Sequence, residues 1–148
     1  MSMLGRLSQG DVYTTKMAAI QIVPVVYTHF QSHCQQELME VFNSLSGDEM
    51  PQVRKQASLV LNEMIKLIPK VQESELLNVF SRFYKDEQDS VRMQGIDSCV
   101  CFAQHLPPTK VNAYLLPYIK KFAEDKSWRI RYLVADRIMD LAAGIGFE

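Results

Sequence analysis

The stretch 86-DEQDSVR-92 is too polar for a core and too short to be a motif on its own, yet it has two echoes. One is 48-DEMPQVR-54 and the other 125-DKSWRIR-131, so Asp48, Asp86 and Asp125 stand 38 and 39 residues apart. Val53, Val91 and Ile130 keep the same steps, as do Arg54, Arg92 and Arg131. Upstream of each string the spacing persists. Leu38, Leu76 and Leu115 correspond, then Phe42, Phe80 and Ile119, then Leu45, Phe83 and Phe122. Six columns in one register over three units are a repeat.

Inside each unit, apolar residues recur at intervals of three and four. Val53, Ala57, Val60, Leu61, Met64 and Leu67 share one helical face; so do Val91, Gly95, Cys99, Phe102 and Leu106, and so do Ile130, Val134, Ile138 and Leu141. The alternation of β-branched residues that marks strands is nearly absent. A period near ~40 residues with two helices per unit predicts an all-α fold, an α-solenoid of HEAT repeats or the armadillo type. The expected form is a stack of antiparallel helix pairs in a right-handed superhelix.

A first helix is expected at about 33–46, opened by a capping box of Ser32 and Gln35. The turn with its Asp follows, and Pro51 suits the first position of the second helix. That helix should stop before Pro69, and the helix of the next unit before Pro107 and Pro108. Lys16 lies 38 residues before Arg54, so 11–31 reads as a lone second helix, followed by repeats at 32–69, 70–108 and 109–146. Pro24 should kink or shorten the lone helix, and Pro117 falls inside a first helix.

The repeated Asp and Arg lie six residues apart, across the turn and into the second helix. A carboxylate there meets free N–H groups and the positive end of the helix dipole. The Arg can reach the Asp of a neighbouring repeat, so that Asp48, Arg54, Asp86, Arg92, Asp125 and Arg131 form a ladder. Exposed links of this kind contribute only ~0.2–1 kcal/mol each. Their expected role is to set the angle between repeats, while apolar burial holds the stack together.

Composition narrows the function classes. The 148 residues are 47% hydrophobic and 22% charged, as in folded soluble proteins, and 16 basic against 17 acidic side chains leave a net charge of −1. That balance gives no reason to expect nucleic acid or an anionic membrane as partner. No apolar run approaches the ~18 residues that cross a bilayer. The opening MSMLGRLSQG has neither the apolar core nor the Arg-rich pattern of a targeting segment. Cys34, Cys99 and Cys101 are odd in number and lack metal-site spacing, which favours free thiols in a reducing compartment.

Catalytic chemistry finds no constellation. His29 and His33 have the i, i+4 spacing of a helical metal pair beside Cys34, but the expected helix boundary at Ser32 separates their faces. His105 stands alone at a helix end. The fragment 144-GIG-146 reads as a helix stop rather than a phosphate loop. Cys99 and Cys101, two apart on a helix, point away from each other and pack as small hydrophobes. Acidic pairs such as Asp48-Glu49 and Asp86-Glu87 recur with the repeat, as structural residues do and catalytic ones do not. No enzyme, cofactor or metal is therefore expected. Trp128 is different: it occupies the column of Pro51 and Asp89 and is flanked by Lys126, Arg129 and Arg131. It reads either as an interface anchor or as a ring covering a neighbouring turn.

The strings 86-DEQDSVR-92, 99-CVCFAQHLP-107 and 123-AEDKSWRIRYLVAD-136 resemble consecutive repeats of the scaffolding A subunits of protein phosphatase 2A. The upstream DEMPQVRKQAS and GDVYTTKMA resemble the repeats just before them, and the likeness runs from about Leu7 to Gly144. Departures are Met50 and Gln52 around Pro51, Lys55 in place of a second arginine, and the interior Pro24. The resemblance implies a non-catalytic scaffold segment in the cytoplasm and also the nucleus. The partner it implies is a phosphatase regulatory subunit, with the catalytic subunit held only by repeats absent from this chain. The implied contact positions are Glu49, Met50, Pro51 and Arg54 in one turn, Asp86, Glu87 and Gln88 in the next, and Ser127, Trp128 and Arg129 beyond. It also implies a chain shorter than a whole scaffold, whose end faces should associate at high concentration. A HEAT-repeat adaptor of another complex, in transport or assembly, is the alternative reading.

Overall fold

Wherever the apolar columns run, the backbone is helical. The computed structural model describes residues 13–67 and 73–146. Its helices are α1 (Tyr13–Tyr27), α2 (Ser32–Ser46), α3 (Pro51–Leu67), α4 (Glu73–Tyr84) and α5 (Asp89–His105). Three contiguous segments, Pro108–Lys110, Val111–Leu115 and Leu116–Ala123, make up α6, which is followed by α7 (Trp128–Asp136) and α8 (Ile138–Ile145). The second helices α1, α3 and α5 pack in succession, and α7 and α8 continue their row against α5. The first helices α2, α4 and α6 lie beside them, each against its own partner, so the array is an all-α solenoid with two layers.

Between the layers lies one continuous core. All three columns of the first helices are buried, from Leu38, Phe42 and Leu45 through Leu76, Phe80 and Phe83 to Leu115, Ile119 and Phe122. Val53, Val91 and Ile130 are buried as well. Phe80 packs edge-on against Phe102 and Tyr118, with ring centroids 5.8 and 5.1 Å away. Repeating a large apolar side chain at one register lets each unit bury the face of the next.

Several local expectations are corrected. Ser32 is the first residue of α2 rather than its cap; Gln31 holds the cap position and makes no side-chain capping bond. Gln35 instead donates through Nε2 to the Tyr27 carbonyl at 3.0 Å, tying the end of α1 to α2. Pro24 does not stop α1, which runs through it to Tyr27 with the ring buried. Leu67 is 39% exposed because it ends α3, and Ile138 is 49% exposed because the last second helix breaks before it. At that break Arg137 adopts φ −96° and ψ 6°, which turns the register so that Leu141 is buried while Ile138 is not. Pro69, Asp11 and Leu7 lie outside the described residues.

Pro117 leaves its mark one turn upstream. Lacking an N–H, it cannot close an α-helical bond in α6, and the segment Val111–Leu115 relaxes into a π-helix in which the Leu116 N–H reaches the Val111 carbonyl. At the other side of the array, α8 approaches α5 closely at Gly144. A Cβ there would lie 2.4 Å from Cβ of Ala103 and 2.9 Å from its carbonyl oxygen. We expect Gly144→Ala to destabilise the fold by about 1–3 kcal/mol, since the backbone of α5 must shift. Urea unfolding checks this; an unchanged midpoint would mean that α8 does not dock on α5. Among the described residues, no helix is long and apolar enough to cross a membrane.

Candidate functional site

Each Asp does the same two things at its turn. Its Oδ1 accepts the N–H two residues on: Met50 at 2.9 Å for Asp48, Gln88 at 2.9 Å for Asp86 and Ser127 at 2.8 Å for Asp125. The bonded N–H thus belongs to the residue just before the helix, not to its first turn, and the carboxylate closes the turn itself. Both oxygens of Asp86 and Asp125 also receive a guanidinium from the preceding repeat.

Each Arg is clamped from its own side first. Arg54 Nη1 donates to the Asp48 and Glu49 carbonyls at 2.8 and 3.0 Å, and Arg92 Nη1 to those of Asp86 and Glu87 at 2.8 and 3.0 Å. Arg131 repeats this with Asp125 and Lys126 at 2.7 and 3.2 Å. Nε and Nη2 then form a fork onto the next repeat. Arg54 grips Asp86 at 2.6 and 3.0 Å, and Arg92 grips Asp125 at 2.9 and 3.0 Å. Lys16, in the same column of α1, makes the first rung to Asp48 at 2.7 Å.

These rungs are not the exposed links of low value that the spacing suggested. Side-chain exposure is 6% for Arg92 and 11% for Asp125. Burial pushes both the Asp86 and Asp125 carboxyls up, yet the opposing causes win. Hydrogen bonds from the Arg fork and the turn N–H, together with the nearby positive charges, hold both below the usual carboxylate range.

Held by the rungs, the turns present a row of side chains. Glu49, Met50, Glu87, Gln88, Trp128 and Arg129 are exposed, while Pro51, Arg54, Asp86 and Ser127 are half-buried. Trp128 is 63% exposed, so its ring does not cover a neighbouring turn, and the Arg129 guanidinium lies 5.6 Å from its centroid. Asp89, which shares the column of Pro51 and Trp128 but is not among the implied contact positions, joins two turns: Ser127 Oγ lies 3.5 Å and Arg129 Nη1 3.4 Å from its Oδ2. Lys16 was visible only as the residue standing one period before Arg54.

The remaining titratable groups do not converge. His29 Nδ1 lies 2.9 Å from the Val25 carbonyl at the end of α1, while His33 stands in α2. Among the described residues, no group of three His, Cys, Asp or Glu could hold a metal. Burial pushes the Cys99 thiol far up, which keeps it protonated and unreactive.

No family model matches the chain. It is 30% identical over 144 residues to a regulatory A subunit of protein phosphatase PP2A from Schizosaccharomyces pombe, covering 95% of this chain and 24% of that protein. A probable PP2A regulatory subunit of Caenorhabditis elegans is 35% identical over 101 residues, covering 68% of this chain and 17% of that one. A RAB11-binding protein RELCH homolog of Xenopus tropicalis is 35% identical over 71 residues, or 48% of this chain and 6% of that protein. Among solved structures, a computationally designed armadillo repeat protein for modular peptide recognition superposes with a TM-score of 0.59 at 15% identity, over 93% of this chain and 62% of that one. The last likeness concerns the fold alone. The two PP2A relatives are named regulatory subunits, and the fold is a repeat solenoid. By sequence the chain is similar to the regulatory A subunits of protein phosphatase PP2A, of whose length it spans about a quarter, and by structure it is an all-α repeat solenoid.

Proposed function

We propose that this chain serves as a scaffold segment in a phosphatase complex of the PP2A type, and that a regulatory subunit docks on its ridge of turns. In this reading the array is a lone second helix at 11–31 followed by repeats at 32–69, 70–108 and 109–146. The contact residues are Glu49, Met50, Pro51, Arg54, Asp86, Glu87, Gln88, Ser127, Trp128 and Arg129. The catalytic subunit is held elsewhere, outside these repeats, and the assembly works in the cytoplasm and nucleus. One observation carries the reading: turns clamped in line by part-buried Arg–Asp forks, with a mostly exposed Trp at one end. A row of side chains on a rigid frame binds without paying to order loops.

The second reading, an adaptor of another complex, draws on the likeness to the RELCH homolog over 71 residues. Calorimetric titration against a phosphatase regulatory subunit, and separately against the catalytic subunit, separates the two. The first should bind and the second should not. Trp128→Ala should weaken regulatory-subunit binding about tenfold or more, as loss of an aromatic anchor does. The helical circular dichroism should stay unchanged. Binding that is indifferent to both Trp128→Ala and Pro51→Ala would remove the ridge from the interface.

A further inference from the structure

A groove of about 680 Å³ opens between α4 and α6, running from Glu73 and Lys110 at one end to Lys85 and Lys121 beside the turns. Its walls carry three lysines against one glutamate, in a chain whose overall net charge is −1. Glu73 is already paired with Lys110. Lys85 and Lys121 have no ion pair among the described residues. The Lys121 ammonium lies 5.6 Å from the Tyr84 ring centroid, which holds it over the groove. Tyr118 packs edge-on against Tyr84 at 5.0 Å, and Tyr114, on the π-helical segment of α6, is 52% exposed.

The repeat supplies its own control. The corresponding groove one unit earlier, between α2 and α4, is about 310 Å³. It is lined by Glu40, Glu75 and Arg82, with no lysine and no aromatic ring, and Arg82 is turned onto the Asn43 carbonyl. Size, charge and aromatic lining are therefore particular to the α4–α6 groove and are not a by-product of stacking helix pairs.

We propose that this groove binds an extended acidic peptide segment of a partner protein, seating one apolar or aromatic side chain among Tyr84, Tyr114 and Tyr118. Charge complementarity selects the acid: two unpaired ammoniums beside low-dielectric tyrosine walls attract carboxylates and repel basic segments. The span from Glu73 to Lys85 along α4 is about 18 Å at 1.5 Å per helical residue. An extended peptide covers that with about five or six residues. The site is distinct from the turn ridge and does not depend on the phosphatase reading.

Fluorescence anisotropy with the whole chain and a labelled peptide EEFDEE tests it, with QQFNQQ and EEGDEE as comparisons. Saturable binding of EEFDEE is expected. It should be weaker for EEGDEE, absent for QQFNQQ and reduced by added salt. Lys85→Glu with Lys121→Glu should lower the affinity roughly tenfold or more, whereas Lys55→Glu with Lys66→Glu on α3 should not. If the first pair perturbs folding by circular dichroism, Tyr114→Ala, at an exposed position, replaces it and should also weaken binding. Equal binding of QQFNQQ, no binding of EEFDEE, or indifference to the groove variants would overturn the proposal. Displacement by inorganic phosphate as readily as by unlabelled peptide would also overturn it, leaving a simple anion site. Loss on Trp128→Ala in place of the groove variants would move the peptide to the turn ridge.

Discussion

Phe80→Ala should lower the free energy of unfolding by about 3–5 kcal/mol, the cost of emptying a large aromatic site in a packed core. Phe80 is fully buried and sits where two repeats meet, with Phe102 of its own unit on one side and Tyr118 of the next on the other. Its loss removes apolar area and two edge-on ring contacts together, and helices on both sides limit collapse into the gap. Denaturant titration followed by circular dichroism measures the effect. A loss under about 1 kcal/mol would mean that adjacent repeats do not share a packed core at this position. Phe80→Leu, which keeps most of the volume, should lose much less.

Asp86→Asn should cost about 2–4 kcal/mol, even though the change is isosteric. Asp86 accepts both prongs of the Arg54 fork and the Gln88 N–H, and its side chain is almost wholly enclosed. An amide there sets an N–H group against one prong of the fork and removes the negative charge that the guanidinium faces. The expected cost stays below the top of the range for buried pairs because Arg54 keeps some contact with water. Replacing both partners, Arg54→Met with Asp86→Leu, should recover part of the loss, since no charge is then stranded.

The sign of the pH dependence follows from the same geometry. The folded carboxyls of Asp86 and Asp125 titrate below their unfolded value, which is about 3.9. Their contribution is therefore fully present above that value and is lost as pH falls through the lower folded values. The midpoint temperature of the wild type should hold steady near neutral pH and drop below about pH 4, with a shallower acid slope in Asp86→Asn. Equal acid slopes in the two proteins would show that the rung is not what links stability to pH.

Much of this architecture was legible in the chain because a repeat makes physical demands at fixed intervals. Each unit must bury the same face, so Leu38, Leu76 and Leu115 had to recur, and they are buried where the period put them. Each turn must close in the same way, so the Asp recurred too. Where one repeat departs from the others, the pattern was silent or misleading. The break at Arg137 exposes Ile138, which periodicity assigned to the core, and the capping box at Ser32 gave way to a bond from Gln35 across to α1.

The sequence by itself determined the helical repeat, its register and which residues stand on the turns, because those depend on spacing along one strand of chain. Tertiary structure alone decided how each rung is made and what it is worth. The fork of Arg54 closes on a carboxylate 32 residues away, and whether that pair is solvated or enclosed depends on how closely two turns approach. The α4–α6 groove is likewise a property of the gap between helices. Its lysines and tyrosines are ordinary in sequence and become a site only when a π-helical α6 stands opposite α4.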